Sequence, residues 1–306
     1  MRARGLSITG PLEAFTVPAK AVTPEELEGV FARIVLAVKT PATRAASEAL
    51  APHLAPEGVV VSAQNGLNEP LIAEVVGAGR TMGCFVNFGA DYHGPGEIMY
   101  GGRGAVVVGE IDGRITERAR ALHKLFRDFE PEAVLSANIF GYLWSKMAYG
   151  AMLFAQALTE ASIADCLDHP RYRALFIALA REVLAVARAR GITLEAFNGF
   201  DPAAFLPGGA DAAAQASLEE MVAFNRRSAK SHSGIWRDIA VRKRKTEVEA
   251  LPGAVPALAA EAGLRAPLCA RLTALIHEVE RGERPQSWET LEALKAVHDS
   301  EHAVDA

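Results

Sequence analysis

The sequence predicts an α/β protein, with a parallel sheet in the first third and an all-helical region after it. Three observations carry this. Residues 33–38 (RIVLAV), 59–66 (VVVSAQNG) and 81–88 (TMGCFVNF) are short apolar runs spaced by helical stretches, the pattern of parallel strands with helical crossovers. Strands buried on both faces read as continuous rather than alternating runs. From about residue 137 onward, nearly every segment has helical periodicity.

Taken in order, the run at 33–38 ends in Lys39 and Thr40, and a helix is expected over 41–54, where Ala and Leu recur at helical spacing. The second strand ends in the polar turn Gln64-Asn65-Gly66. Residues 70–78 read as helix and 81–88 as the third strand. EIMY at 97–100 and AVVVGE at 105–110, joined by GGRG, suggest an antiparallel hairpin at the sheet edge. A helix over 115–129 follows. The boundary is expected near Glu130-Pro131, giving domains 1–133 and 134–306. RYRALFIALAREVLAVARAR (171–190) should stop at Gly191, a helix C-terminal glycine. Further helices are expected over roughly 212–250, 253–263 and 267–282, and the polar tail after 283 holds one short helical piece.

The chain has 306 residues and a net charge of −5, so a sizeable core is available and a nucleic-acid or membrane-surface role is disfavoured. No uncharged apolar run of 18 residues is present and the first residues lack a signal-peptide core; three cysteines, odd in number and far apart, suggest no disulfide framework and make a reducing cytoplasm the expectation. The cysteines, Cys84, Cys166 and Cys269, are scattered, and the eight histidines form no ligand-spaced pair. No metal site is expected.

The most informative stretch is 137–160, an apolar helix with Lys146 near its middle. Phe140, Leu143, Trp144, Met147, Met152, Leu153 and Phe154 cover nearly every face, so burial all round is expected. A lysine there either snorkels to water or is held for work, because burial disfavours its charge. Ligands of an open parallel sheet bind beyond the carboxyl ends of its strands, where Lys39, Gln64, Asn65 and Gly66 fall. Asn-Gly is also a common tight turn. A second cluster, 225–248, carries eight cations closed by Glu247. Its RKRK run reads as a solvated helix face, whereas Ser233, Trp236 and Glu247 suit a pocket wall.

These pieces together resemble the ketopantoate reductase family (2-dehydropantoate 2-reductases). The matching segments are AVKT at 37–40, QNGLNE at 64–69, LWSKMA at 143–148, SHSGIWRD at 231–238 and KTEVEAL at 245–251. The resemblance implies a Rossmann-like domain that binds NADPH, a helical substrate and dimerisation domain, a homodimer, and a place in pantothenate synthesis. It implies Lys146 as general acid and Lys39, Asn65, Gly89 and Glu247 as cofactor contacts. It implies substrate contacts at Asn65, at Ser233 or its neighbour, and at the positions of Gly150 and Phe154. Hydride delivery to a 2-oxo carbon builds charge on oxygen, and a placed ammonium stabilises that charge and then gives a proton.

Two departures qualify the match. Where the family carries asparagines four and eight residues after its lysine, this chain has Gly150 and Phe154. The substrate is then a 2-oxo acid other than ketopantoate, with an apolar arm. No strand followed by G-x-G-x-x-G precedes Ala37. The sheet therefore reads as N-terminally incomplete, lacking the first β-α-β unit, and weak NADPH binding is expected. A degenerate, non-catalytic dimeric scaffold and a related hydroxy-acid or opine-type dehydrogenase are the alternatives.

Overall fold

The computed structural model describes residues 1–206 and 210–304. The chain divides into two compact units. A sheet unit comprises residues 1–139 and 227–230. A helical unit comprises residues 140–226 and 231–306.

The sheet unit holds strands β1 (Leu6–Thr9), β2 (Phe15–Val17), β3 (Phe31–Leu36), β4 (Leu54–Ser62), β5 (Thr81–Val86), β6 (Gly89–Gly94), β7 (Glu97–Gly102), β8 (Val106–Glu110) and β9 (Val134–Leu135). Its helices are α1 (Thr43–Leu50), α2 (Glu69–Val76) and α3 (Glu117–Phe129). The larger sheet has the order β3-β4-β5-β8-β9. β3, β4 and β5 run parallel and β8 pairs antiparallel to β5. Successive residues of β4 face opposite sides. Val59 and Val61 join Met82, Cys84, Val106, Val108 and Leu122 in one core cluster, while Val60 joins Leu36, Leu54, Ile72 and Val76 in another. Burial on both faces is why these strands read as unbroken apolar runs. β3 pairs only with β4 and leaves Val35 half exposed at the sheet edge. Gly83 is required where it stands, since a Cβ there would lie 2.6 Å from Cγ1 of Ile139.

The expected hairpin of 97–100 with 105–110 does not form. β7 pairs with β1 and β6 in a second sheet of order β2-β1-β7-β6, while β8 belongs to the larger sheet. The glycine-rich link does not turn back on itself. Gly101 and Gly102 stay in β7, and Gly104 passes so close to the Asn87 carbonyl oxygen that a Cβ would lie 2.2 Å from it. The real hairpin is β6–β7, turning at Gly94-Pro95-Gly96, with Gly96 at φ +83°.

The helical unit runs α4 (Ile139–Gln156, its first residue still in the sheet unit), α5 (Ile163–Asp168), α6 (Arg173–Ala189), α7 (Asp211–Arg227), α8 (Gly234–Ala240), α9 (Val255–Glu261), α10 (Pro267–Glu280) and α11 (Trp288–Val304). α10 packs against α6, α9 and α11. Gly191 ends α6 at φ +74°, and the Ile192 N–H closes back to the Ala187 carbonyl at 3.0 Å. Three expectations need correction. The tail is no short piece: α11 has 17 residues, buries Leu291 and Leu294, and stacks Trp288 on Tyr172 at 5.3 Å. The stretch 212–250 is broken between α7 and α8, where residues 227–230 belong to the sheet unit and the Ala229 N–H donates to the Gly101 carbonyl at 3.0 Å. The RKRK run is not helical. α8 ends at Ala240, Lys243 adopts φ +49°, and Arg242 and Arg244 both pair with buried Asp238 at 2.9 and 2.8 Å. Among the described residues, no helix is long and apolar enough to cross a membrane.

Candidate functional site

In the sheet unit, Lys39 lies three residues beyond the end of β3 and is exposed, at the start of a short 3-10 turn over Thr40–Ala42. Asn65 lies just beyond β4, also exposed, and is followed by Gly66 at φ +85°. Buried amides and hydroxyls lock the two loops to each other. Gln64, 4 % exposed, donates from Nε2 to the Val38 carbonyl and to Oγ1 of Thr43, both at 2.7 Å. The Thr43 hydroxyl donates to Oδ1 of Asn68 at 3.0 Å. Asn68 Nδ2 in turn donates to the Asn65 carbonyl at 2.7 Å, and the Thr40 hydroxyl donates to that same carbonyl at 3.3 Å. An exposed cation and an exposed amide are thus held at the carboxyl ends of adjacent parallel strands. Gly89 opens β6, where a Cβ would meet Oγ of Ser228 at 2.9 Å, so residue 228 closes over it.

In the helical unit, α4 is not buried all round. Tyr142, Lys146 and Gly150 form a half-buried stripe at four-residue spacing, joined by Leu153; apart from Phe140 in the first turn, the rest of the helix is buried. The missing side chain at Gly150 helps keep the stripe open, since a Cβ there would meet only Cδ2 of Leu251, at 3.8 Å. One turn on, Phe154 is 1 % exposed and closes the stripe as part of the core. Burial pushes the Tyr142 phenol up, with the Glu195 carboxylate adding to it. Glu195 is anchored beside α4 by its N–H, which donates to Oγ of Ser145 at 3.2 Å. Burial pushes Tyr149 up to about 12, and its hydroxyl meets the Asn225 amide at 3.1 Å.

Ser233 is buried and caps α8, its Oγ accepting the Trp236 N–H at 3.1 Å. Glu247 is 8 % exposed and precedes the single turn Val248–Ala250. Sequence reasoning reached both residues but missed what holds them. Glu280 reaches Thr246 across 34 positions and His277 reaches Glu249 across 28, and in the sheet unit Thr43 and Asn68 likewise bond to each other across 25, contacts that only the fold brings about. The three cysteines are buried and form no disulfide, and among the described residues no group of three or more His, Cys, Asp or Glu is placed to hold a metal ion.

The family model described as ketopantoate reductase PanE/ApbA matches residues 1–113, and its C-terminal counterpart matches residues 138–280. A 2-dehydropantoate 2-reductase of Archaeoglobus fulgidus is 27% identical over 227 residues, covering 74% of this chain and 69% of its own length. That of Aquifex aeolicus is 25% identical over 285 residues, covering 90% and 85%. The crystal structure of 2-dehydropantoate 2-reductase from Geobacter metallireducens superposes with a TM-score of 0.78 at 24% identity, covering 91% of this chain and 87% of its own, which shows a shared fold. The chain belongs to the ketopantoate reductase family, a family of oxidoreductases acting on CH–OH groups.

Proposed function

We propose that this protein reduces a 2-oxo acid to the 2-hydroxy acid with NADPH, and that Lys146 is the general acid. The observation that carries the reading is the stripe on α4. Lys146 is the one charged side chain of that helix and stands half-buried between Tyr142 and Gly150. Two strand-end residues of the sheet unit suit the nicotinamide half of a dinucleotide, although no strand followed by G-x-G-x-x-G precedes β3 to hold its pyrophosphate. An exposed ammonium at Lys39 suits an anionic cofactor, and the exposed amide of Asn65 suits hydrogen bonding to it, both at strand ends of the kind that bind nucleotides. The bound nicotinamide supplies the hydride.

The chain's own residues do the rest. Lys146 holds its proton at Nζ against the carbonyl oxygen and stabilises the charge that gathers there. It then gives that proton, leaving the 2-hydroxy acid, and is reprotonated from water. Gly150 leaves room beside the reacting carbon, and Leu251 makes the nearest wall apolar. The substrate therefore carries an apolar arm larger than that of ketopantoate. In the sheet unit Asn65 is a cofactor contact; in the helical unit Glu247 is one as well, and Ser233, as the cap of α8, fixes the wall that receives the substrate. A cytoplasmic homodimer belongs to the same reading.

Lys146→Ala tests the assignment. It should lower kcat by about 10²–10⁴-fold, the usual worth of a placed proton donor, with the melting temperature retained. Turnover within a few-fold of wild type refutes the role. A panel of 2-oxo acids of increasing side-chain size tests the pocket, and a wide preference for ketopantoate would overturn the apolar-arm reading.

A further inference from the structure

Glu247 sits in a segment with little regular structure of its own, yet its neighbours are fastened to one turn of α10. Thr246, one residue ahead, donates both its backbone N–H and its hydroxyl to Oε1 of Glu280, each at 2.7 Å. Oε2 of Glu280 meets Nδ1 of His277 at 3.0 Å, and Nε2 of that histidine reaches Oε1 of Glu249 at 2.6 Å. The residue before Glu247 and the second residue after it are therefore held from the same helix.

We infer that Glu280, backed by His277, is a positioning residue that sets the Glu247 carboxylate by clasping the backbone on both sides of it. The inference rests on the reading that Glu247 contacts the cofactor.

The Glu280 side chain is 6 % exposed. Burial alone would raise its pKa, but the two Thr246 donors and the imidazole hold it below the usual carboxylate range. It is thus an anion at neutral pH, and its bonds to Thr246 are of the stronger, charge-assisted kind. His277 is held above its ordinary value: burial opposes this, and the Glu249 and Glu280 carboxylates outweigh burial. A well-packed apolar residue would often hold such a turn at no cost in stability. What a buried anion adds is directional hold on one peptide N–H and one hydroxyl.

The test compares Glu280→Ala, Glu280→Gln and Thr246→Val with Glu247→Gln. It reads amide hydrogen exchange at residues 246–248, the melting temperature, and kcat and KM for NADPH. Glu280→Ala should speed exchange at the Thr246 amide and raise KM for NADPH about 10-fold, with kcat within about 3-fold, as expected when a binding group is displaced but the proton donor is intact. Glu280→Gln keeps an acceptor for Thr246 and should recover most of the loss. Thr246→Val, the milder change, should raise KM about 3-fold by the same reasoning. Glu247→Gln should raise KM without changing exchange. If Glu280→Ala speeds exchange and KM stays put while Glu247→Gln raises it, the clasp is structural only. The inference then fails and the role of Glu247 stands. If Glu247→Gln leaves KM unchanged, the role of Glu247 falls and the positioning role falls with it.

Discussion

Glu69 should make this protein less stable as pH rises from about 4.5 to about 7, and Glu69→Gln should remove that dependence. The residue opens α2, four positions beyond Asn65, and is fully buried. Burial pushes its carboxyl up to about 7. A carboxylate in the first turn of a helix gains about 0.3–1 kcal/mol from the helix dipole, but desolvation outweighs that here. The folded state therefore prefers the protonated acid, while the unfolded chain titrates near the ordinary glutamate value of 4.5. Folding stability from this group is intact below about 4.5, declines as pH rises, and levels off above about 7. A displacement of about 2.5 units at 1.36 kcal/mol each is about 3 kcal/mol. That corresponds to roughly 5–10 °C in melting temperature for a unit of this size. His277, held above its ordinary value, also loses stabilisation as pH rises, so the diagnostic quantity is the difference between wild type and variant. Thermal melts of both proteins from pH 5 to 8 should diverge, with Glu69→Gln the more stable at pH 8 by several degrees relative to its standing at pH 5. Parallel curves would show that Glu69 ionises in the folded state as easily as in the unfolded one, and the argument from burial would be wrong.

Gly150→Asn should shift preference toward small hydroxylated 2-oxo acids, because an amide then occupies the opening beside Leu251; kcat/KM ratios over a substrate panel measure it, and an unchanged ranking counts against the pocket. Glu182→Ala should destabilise the protein by about 1–3 kcal/mol in chemical denaturation, since that carboxylate accepts the Leu268 and Cys269 N–H groups at 2.8 and 2.9 Å and caps α10. Tyr149→Phe should cost about 1 kcal/mol by the same measurement, losing the hydroxyl's bond to Asn225 while the ring keeps its edge-to-face contact with Phe197 at 5.8 Å.

What the sequence disclosed follows from how each part is stabilised. β3, β4 and β5 were legible because burial on both faces requires continuous apolar runs, and their polar ends follow from where such strands stop. The second sheet was not. LSIT, FTV and GADYHG are short and mostly half-buried or exposed, and their pairing partners lie as far apart as Ser7 and Glu97. α11 hid for a related reason. It buries Leu291 and Leu294 three apart under an otherwise charged sequence, and Tyr172 supplies the surface on which Trp288 lies.

Lys146 stood out because a cation in an apolar helix demands an explanation, and its half-buried stripe supplies one. The four-residue spacing that joins Lys146 to Gly150 puts the ammonium beside a residue that has no side chain to cover it. The same spacing carries on to Phe154, where the core closes the stripe. The lysine, the gap at Gly150 and the closure at Phe154 therefore follow one another along one helix face. The supports at Thr43, Asn68 and Glu280 are of another kind. Each is a buried polar side chain whose meaning depends on a backbone or side-chain group that the chain brings near only on folding. A sequence shows the residue that would do the chemistry, because that residue is costly where it stands. It does not show the residue that holds the first one in place, because that cost is offset by a partner elsewhere in the chain.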